Sequence, residues 1–269
     1  MKQLDMNYFL STLVAILLMG CDLHMDSVYL GRSESALLGD VDTGDVEAVK
    51  AYLNNGGNVN LQDESGNTPL HRAANADWKG SHLEMVKFLI ERGANVNAID
   101  DTHHTPLHLA SHAATAALLI EAGARVNART QRTGETLLFS AAWGAAQGAE
   151  KSYQCYLDLT KLLISKGADV NVKLRSGGER LRASSGIEEK PYHEKTGDTP
   201  LHEVARSYSE KHAMVLCELL IQQGANINET NILAHTPLDE ALANQRNQTA
   251  DFLRKHGAET GEALQAKVE

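Results

Sequence analysis

Residues 68–97 read TPLHRAANADWKGSHLEMVKFLIERGANVN, and this stretch decides the architecture. Thr68 followed by Pro69 sets a side-chain oxygen at a helix N-cap. The proline brings a preset φ, and it lacks an N–H at the one helical position where that donor would be orphaned anyway. Leu70, Ala73 and Ala74 supply one apolar stripe, and Met85, Val86, Phe88, Leu89 and Ile90 supply a second. Gly93 then marks a left-handed helix end. Two short helices are delimited, and one such pair cannot bury both apolar faces, so neighbours have to stack on it.

The neighbours are written in the same phrases. The closing phrase recurs as LNNGGNVN at 53–60, IERGANVN at 90–97, IEAGARVN at 120–127, ISKGADVN at 164–171 and IQQGANIN at 221–228, with a degraded copy, RKHGAETG, at 254–261. The opening phrase recurs in step with it: TPLH at 68–71 and 105–108, TLLF at 136–139, TPLH at 199–202 and TPLD at 236–239. Fixed alternation of two phrases defines a repeat array. The Asn-rich stretch from each Gly to the next Thr becomes a turn projecting between units.

The T-P-L-H-x-A-A element, the apolar second helix and the G-A-x-V-N turn resemble ankyrin repeats over residues 35–261. The resemblance implies an all-α solenoid of about six helix-turn-helix units with projecting β-turns or hairpins. The units are expected at about 35–63, 64–100, 101–130, 131–173, 195–230 and 231–261, followed by a C-terminal tail, 262–269. It also implies a non-catalytic scaffold that binds a protein partner and needs no cofactor. The first unit lacks TPLH and the last carries Arg254 where the others place Ile, as polar caps would.

Two intervals are irregular. From Gly to the following Thr the spacings are 12, 12, 13, 32 and 12 residues, so an inserted loop, 173–196, is expected before the fifth unit. From Thr to Gly they are 25, 18, 31, 25 and 21, which puts an insertion of about ten residues between the helices of the fourth unit, near Trp143 to Tyr156. A smaller excess surrounds Trp78. Trp and Tyr are frequent binding anchors, although insertions can also fold back and pack on the array. The partner-binding candidates are therefore Trp78, Trp143, Tyr153 and, on the loop, Arg180, Arg182 and Tyr192. Ankyrin geometry adds the turn tips and outward positions of the first helices: Glu64, Arg72 and Asn75, then Asp101, Leu109 and His112. Further along come Arg132 and Ser140 beside Trp143, and finally Lys195, Glu203 and Arg206.

Catalytic readings have less support. His103, His104, His108 and His112 follow Asp100 and Asp101, and on one continuous helix His104, His108 and His112 could ligate zinc. Thr105-Pro106 starts a helix and breaks that register, and His108 occupies the TPLH position with His71 and His202. A metal-dependent hydrolase using His103, His104 and His112 is the remote alternative. No nucleophile elbow or phosphate-binding loop occurs. Cys217 falls at a core position. Cys155, in the fourth unit, leaves a Cys155–Cys217 disulfide open. The formal net charge of −10 opposes nucleic-acid binding.

At the N-terminus, Lys2 precedes the apolar run YFLSTLVAILLM at Tyr8–Met19, too short for a spanning helix of about 18 residues and built like a signal peptide, residues 1–20. Leu18-Met19-Gly20-Cys21 resembles the lipobox of bacterial lipoproteins, which implies cleavage after Gly20, lipidation of Cys21 and a tether at 21–34. Met19 is bulky for its position, and Asp5 offsets Lys2. The expectation is a monomer anchored in the bacterial cell envelope and facing the periplasm, at the inner membrane if Asp22 governs sorting. Secretion is the alternative. Functionally the sequence leaves two binding readings: a general scaffold, or a protective or inhibitory partner of a single envelope enzyme or toxin.

Overall fold

The computed structural model describes residues 34–76, 82–147, 150–175 and 197–267, and among them every regular element is helical. The first pair is α1 (Glu34–Thr43) with α2 (Val46–Asn54), and the second is α3 (Pro69–Ala76) with α4 (Leu83–Glu91). In the third unit a single 3₁₀ turn (Pro106–Leu109) replaces the first helix before α5 (Ala113–Glu121). The cause is length, because only 18 residues separate Thr105 from Gly123. Then come α6 (Leu137–Gln147) with α7 (Glu150–Ser165), α8 (Pro200–Ala205) with α9 (Glu210–Gln222), and α10 (Pro237–Ala243) with α11 (Asn247–Lys255). A short α12 (Gly261–Gln265) closes the array. First helices pack on first helices, and second helices largely on second helices.

The core is a ladder of leucines. Leu89, Leu119, Leu163, Leu220 and Leu253, each four residues before its unit's Gly, are all fully buried, and Leu70, Leu107, Leu138, Leu201 and Leu238 match them from the first helices. Each contributes about 2 kcal/mol by leaving water. Gly93, at φ 84°, ends α4 in the left-handed conformation, with the Ala94 N–H reaching back to Leu89 O at 3.0 Å.

One polar device is repeated at five successive junctions. The last Asn of the closing phrase reaches into the next unit with both ends of its amide. Asn60 accepts from Asn95 N at 2.7 Å and donates to Gly93 O at 3.3 Å. Asn97 does the same with Arg125 N and Gly123 O, Asn127 with Asp169 N and Gly167 O, Asn171 with Asn226 N and Gly224 O, and Asn228 with Glu259 N and Gly257 O. In four of the five phrases the Asn or Asp two residues earlier accepts from that Asn's own N–H and orients it. The last unit has Gly261 at the corresponding position.

The TPLH histidines link units along the other edge. His202 Nδ1 accepts from Thr199 N–H at 3.1 Å, and Nε2 lies 3.0 Å from His235 O in the next turn. A peptide N–H can only donate and a carbonyl can only accept, so Nδ1 is bare and Nε2 carries the hydrogen. His71 spans to His104 O and His108 to Ala128 O in the same way. In the fourth unit Phe139 replaces the histidine and packs instead on Val172 and Leu174.

The fourth unit differs from its expected form. The extra residues do not make a loop between helices; they lengthen both, giving 11 residues in α6 and 16 in α7. The long junction before the fifth unit is closed at its base by Leu174 N→Asp198 O at 2.9 Å and Gly197 N→Leu174 O at 2.9 Å. These bonds sit in the same register as Asp63 N→Asn67 O and Asp100 N→His104 O in the ordinary turns, so the inserted segment leaves from the turn tip. No disulfide joins Cys155 and Cys217: Cys155 Sγ donates to Ser111 O at 3.4 Å, and burial pushes the Cys217 thiol up to about 12.

Burial pushes His202 down to about 4 and His108 down to about 4, the latter with help from neighbouring His104. A histidine held neutral contributes stability that is present above its unfolded value of about 6.5 and is lost as pH falls toward 4. For fully buried His202 the full loss is on the order of 3 kcal/mol. Asp198, which burial raises to about 6, acts in the opposite sense over the same window. The histidines outnumber it, so the urea midpoint is expected to be lower at pH 5 than at pH 7.5; an equal or higher midpoint contradicts the neutral assignment.

Candidate protein-binding surface

The first helices present a narrow outward stripe. On α6 every residue is buried except Ser140, Trp143 and Gln147, which recur at helical spacing on one side. Trp143 is 47% exposed in the middle of that stripe. Ala141, Ala142, Ala145 and Ala146 face inward, and their small side chains let α6 lie close to α8 and α9. Gly144 serves the packing of α6 on α7, since a Cβ there would stand 3.0 Å from the Tyr156 ring.

Beside Trp143 the connection between α8 and α9 is pinned to the end of α6 by Ser207, whose hydroxyl donates to Ala146 O at 2.6 Å. The next residue, Tyr208, is 80% exposed. The Arg246 guanidinium, from the connection between α10 and α11, lies 4.5 Å from its ring centroid. Units five and six thus meet at Tyr208 and Arg246, and Ser207 ties that connection to the end of the helix that carries Trp143 in unit four. Tyr208 belongs to no repeat phrase, and the sequence reading passed over it.

Other expected positions are held inside the molecule. Arg206 was expected to point outward with Glu203. Instead Glu203 is buried, and the Arg206 guanidinium is ion-paired to Asp198 at 2.7 Å, Glu203 at 2.9 Å and Glu240 at 3.0 Å. Asn231 donates to both Asp198 and Glu240, and His235 lies 3.2 Å from Glu240. The cluster fastens units five and six, and the carboxylates of Asp198 and Glu240 hold the Arg206 guanidinium above its usual range against the opposing effect of burial. Arg72 is half-buried and bridges Asp42 at 2.6 Å and Asp63 at 2.8 Å.

Tyr153 was expected to offer exposed aromatic surface. It packs against the core and stacks on His212 of α9, with ring centroids 3.7 Å apart and 9° between planes. His112 is a half-buried residue preceding α5, its Nδ1 3.1 Å from Ser111 Oγ. Arg132 is exposed on the turn before α6. Trp78, Arg180, Arg182, Tyr192 and Cys21 lie outside the described residues.

The histidines proposed as a metal set are dispersed. His104 Nδ1 faces Thr102 Oγ1 and Asp100, and His108 is taken up by Thr105 and Ala128. Among the described residues no group of three His, Cys, Asp or Glu side chains is arranged to hold a metal ion, and no helix is long and apolar enough to cross a membrane.

Family models for ankyrin repeats match residues 36–130, as three copies, and residues 196–232. No curated protein matches the sequence. Among solved structures, an ankyrin repeat domain from Acinetobacter baumannii is 23% identical at a TM-score of 0.65, over 84% of this chain and 100% of that one. A chain in the structure of the Bd0816 predatory endopeptidase from Bdellovibrio bacteriovorus in complex with immunity protein Bd3460 is 28% identical at a TM-score of 0.56, over 83% of this chain and 99% of that one. The human ASB11 ankyrin repeat domain is 21% identical at a TM-score of 0.60, over 85% of each chain. Repeat phrases, paired helices and matched models agree that this chain carries ankyrin repeats, built into an ankyrin-repeat solenoid.

Proposed function

We propose that the chain is a non-catalytic scaffold that binds a protein partner across the lip formed by Trp143, Tyr208 and Arg246. The observation that carries this reading is the exposure of Trp143 and Tyr208 on neighbouring units of a rigid array, where every other position in the middle of α6 is used for packing. Large aromatic side chains with few rotors bury much area for little lost conformational freedom. An array that already holds them in place adds little ordering cost on binding.

A second reading narrows the first: a protective or inhibitory partner of one enzyme, engaged one to one. It is favoured by the 28% identity to a chain of the endopeptidase–immunity protein complex over 83% of this chain. Anchoring through a lipid on Cys21, in a bacterial envelope and facing the periplasm, completes the proposal and rests on the lipobox-like segment at Leu18–Cys21.

Immobilised wild-type chain is expected to capture a stoichiometric partner from envelope extract, and Trp143→Ala with Tyr208→Ala is expected to reduce recovery more than about tenfold while leaving thermal melting unchanged. Equal recovery by the double variant removes the lip as the site. Arg206→Ala should behave differently, destabilising the fold by about 3 kcal/mol because it strands buried carboxylates; urea denaturation reads this directly. Membrane fractionation of Cys21→Ser should move the protein to the soluble fraction, and an unchanged distribution rules out a lipid tether on that residue.

A further inference from the structure

The turn before α6 departs electrostatically from the rest of this acidic chain. In the other turns the residue that closes the tip is Asp63, Asp100, Leu174 or Asn231, identified by the shared backbone bond to the residue immediately before the helix-starting Thr. Here the corresponding residue is Thr130, through Thr130 N→Glu135 O at 3.0 Å, and Arg129 and Arg132 flank it. The tip carries two arginines, and the carboxylate of its Glu135 is taken up by the Ser140 hydroxyl, which donates to Glu135 Oε1 at 2.6 Å.

A third arrives from the far side of the unit. Arg175 N donates to Thr133 O at 2.7 Å, which lays the start of the following turn across this tip. The two arginine stems converge over Gly134: a Cβ there would stand 3.0 Å from Arg175 Cγ and 3.1 Å from Arg129 Nη2. Gly134 at φ 65° is thus both the left-handed residue of the turn and the floor on which the pair rests.

Arg129 is half-buried, and its hydrogen bonds go to backbone carbonyls, from Nε to Gly134 O at 2.9 Å and from Nη2 to Lys173 O. Carbonyls orient a guanidinium without cancelling its charge. Among the described residues neither Arg129 nor Arg175 forms an ion pair, whereas Lys173 next to them is neutralised by Glu229. Asp169 offers Arg129 partial compensation, against direct repulsion from Arg175. Two like charges are held together by the fold, and a bound anion would relieve that repulsion.

We propose that Arg129, Arg132 and Arg175 form a docking site for an acidic segment of the protein partner, its Asp or Glu carboxylates seated over Gly134. The proposal rests on the scaffold reading and names the chemistry of what is bound. A carboxylate-bearing peptide fits because planar guanidinium groups take carboxylates with two parallel hydrogen bonds, and because the tip lies on the same projecting edge of a protein-binding array.

The test is fluorescence anisotropy of labelled hexaglutamate with the full chain at low and high salt. Binding is expected at 50 mM salt and not for labelled hexaglutamine, and it should weaken as salt rises. Arg129→Ala with Arg175→Ala should weaken it about tenfold. Exposed Arg175→Glu, which leaves the turn's carbonyl contacts in place, should abolish it with an unchanged melting temperature. Equal binding of hexaglutamine, insensitivity to all three arginine substitutions, or preferential binding to phosphatidylglycerol vesicles over the peptide would overturn the site. If the arginine variants still capture the protein partner in full while Trp143→Ala with Tyr208→Ala does not, this inference fails and the scaffold reading stands.

Discussion

The array depends on a bidentate amide that crosses every junction from the first unit to the sixth. Asn60, Asn97, Asn127, Asn171 and Asn228 each satisfy one carbonyl and one N–H of the next unit's helix end. Those are groups that a helix terminus otherwise leaves to water. Each bond alone contributes about 1 kcal/mol at an exposed edge. Their geometric effect is larger, because a two-point contact fixes both the spacing and the rotation of successive units. The leucine ladder supplies the driving force but is tolerant of small rotations; the amides are not.

This constraint explains where variation is found. Residues that serve the junctions are uniform, while the outward stripe of the first helices changes character from unit to unit: Arg72, Leu109, Ser140, Glu203 and Glu240 occupy one register position. Three of them are turned to internal use, Arg72 by Asp42 and Asp63, and Glu203 and Glu240 by Arg206. The exposed aromatic residues Trp143 and Tyr208 lie in units four and five, and the arginines Arg129 and Arg175 lie on the turn edge beside the fourth unit.

Helix starts and stops were legible in the sequence because Thr-Pro and Gly act locally, on the residues beside them. The amide staples were not, since each closes a contact 26 to 55 residues away and its only trace is that one Asn recurs. The extra residues of the fourth unit read as an insertion between its helices from the interval of 31 residues, yet Ala141, Ala142, Ala145 and Ala146 repeat at helical spacing and mark a continuous buried face. Arg206 looked exposed from its register, because its three carboxylates come from a turn, its own helix and the next unit. Tyr208 had no signal beyond an aromatic at a connection. Tyr153 was misassigned because its stacking partner, His212, lies in another unit.

The junction before the fifth unit is sealed at its base by the two bonds between Leu174 and the Gly197–Asp198 pair. Register across it is therefore set by those residues and not by the chain between Arg175 and Gly197. Doubling the length of such a segment adds only about 0.6 kcal/mol of closure entropy. A lineage can lengthen, shorten or rewrite it while the spine on either side remains under unchanged selection, so new specificity can be acquired at this turn without renegotiating the fold.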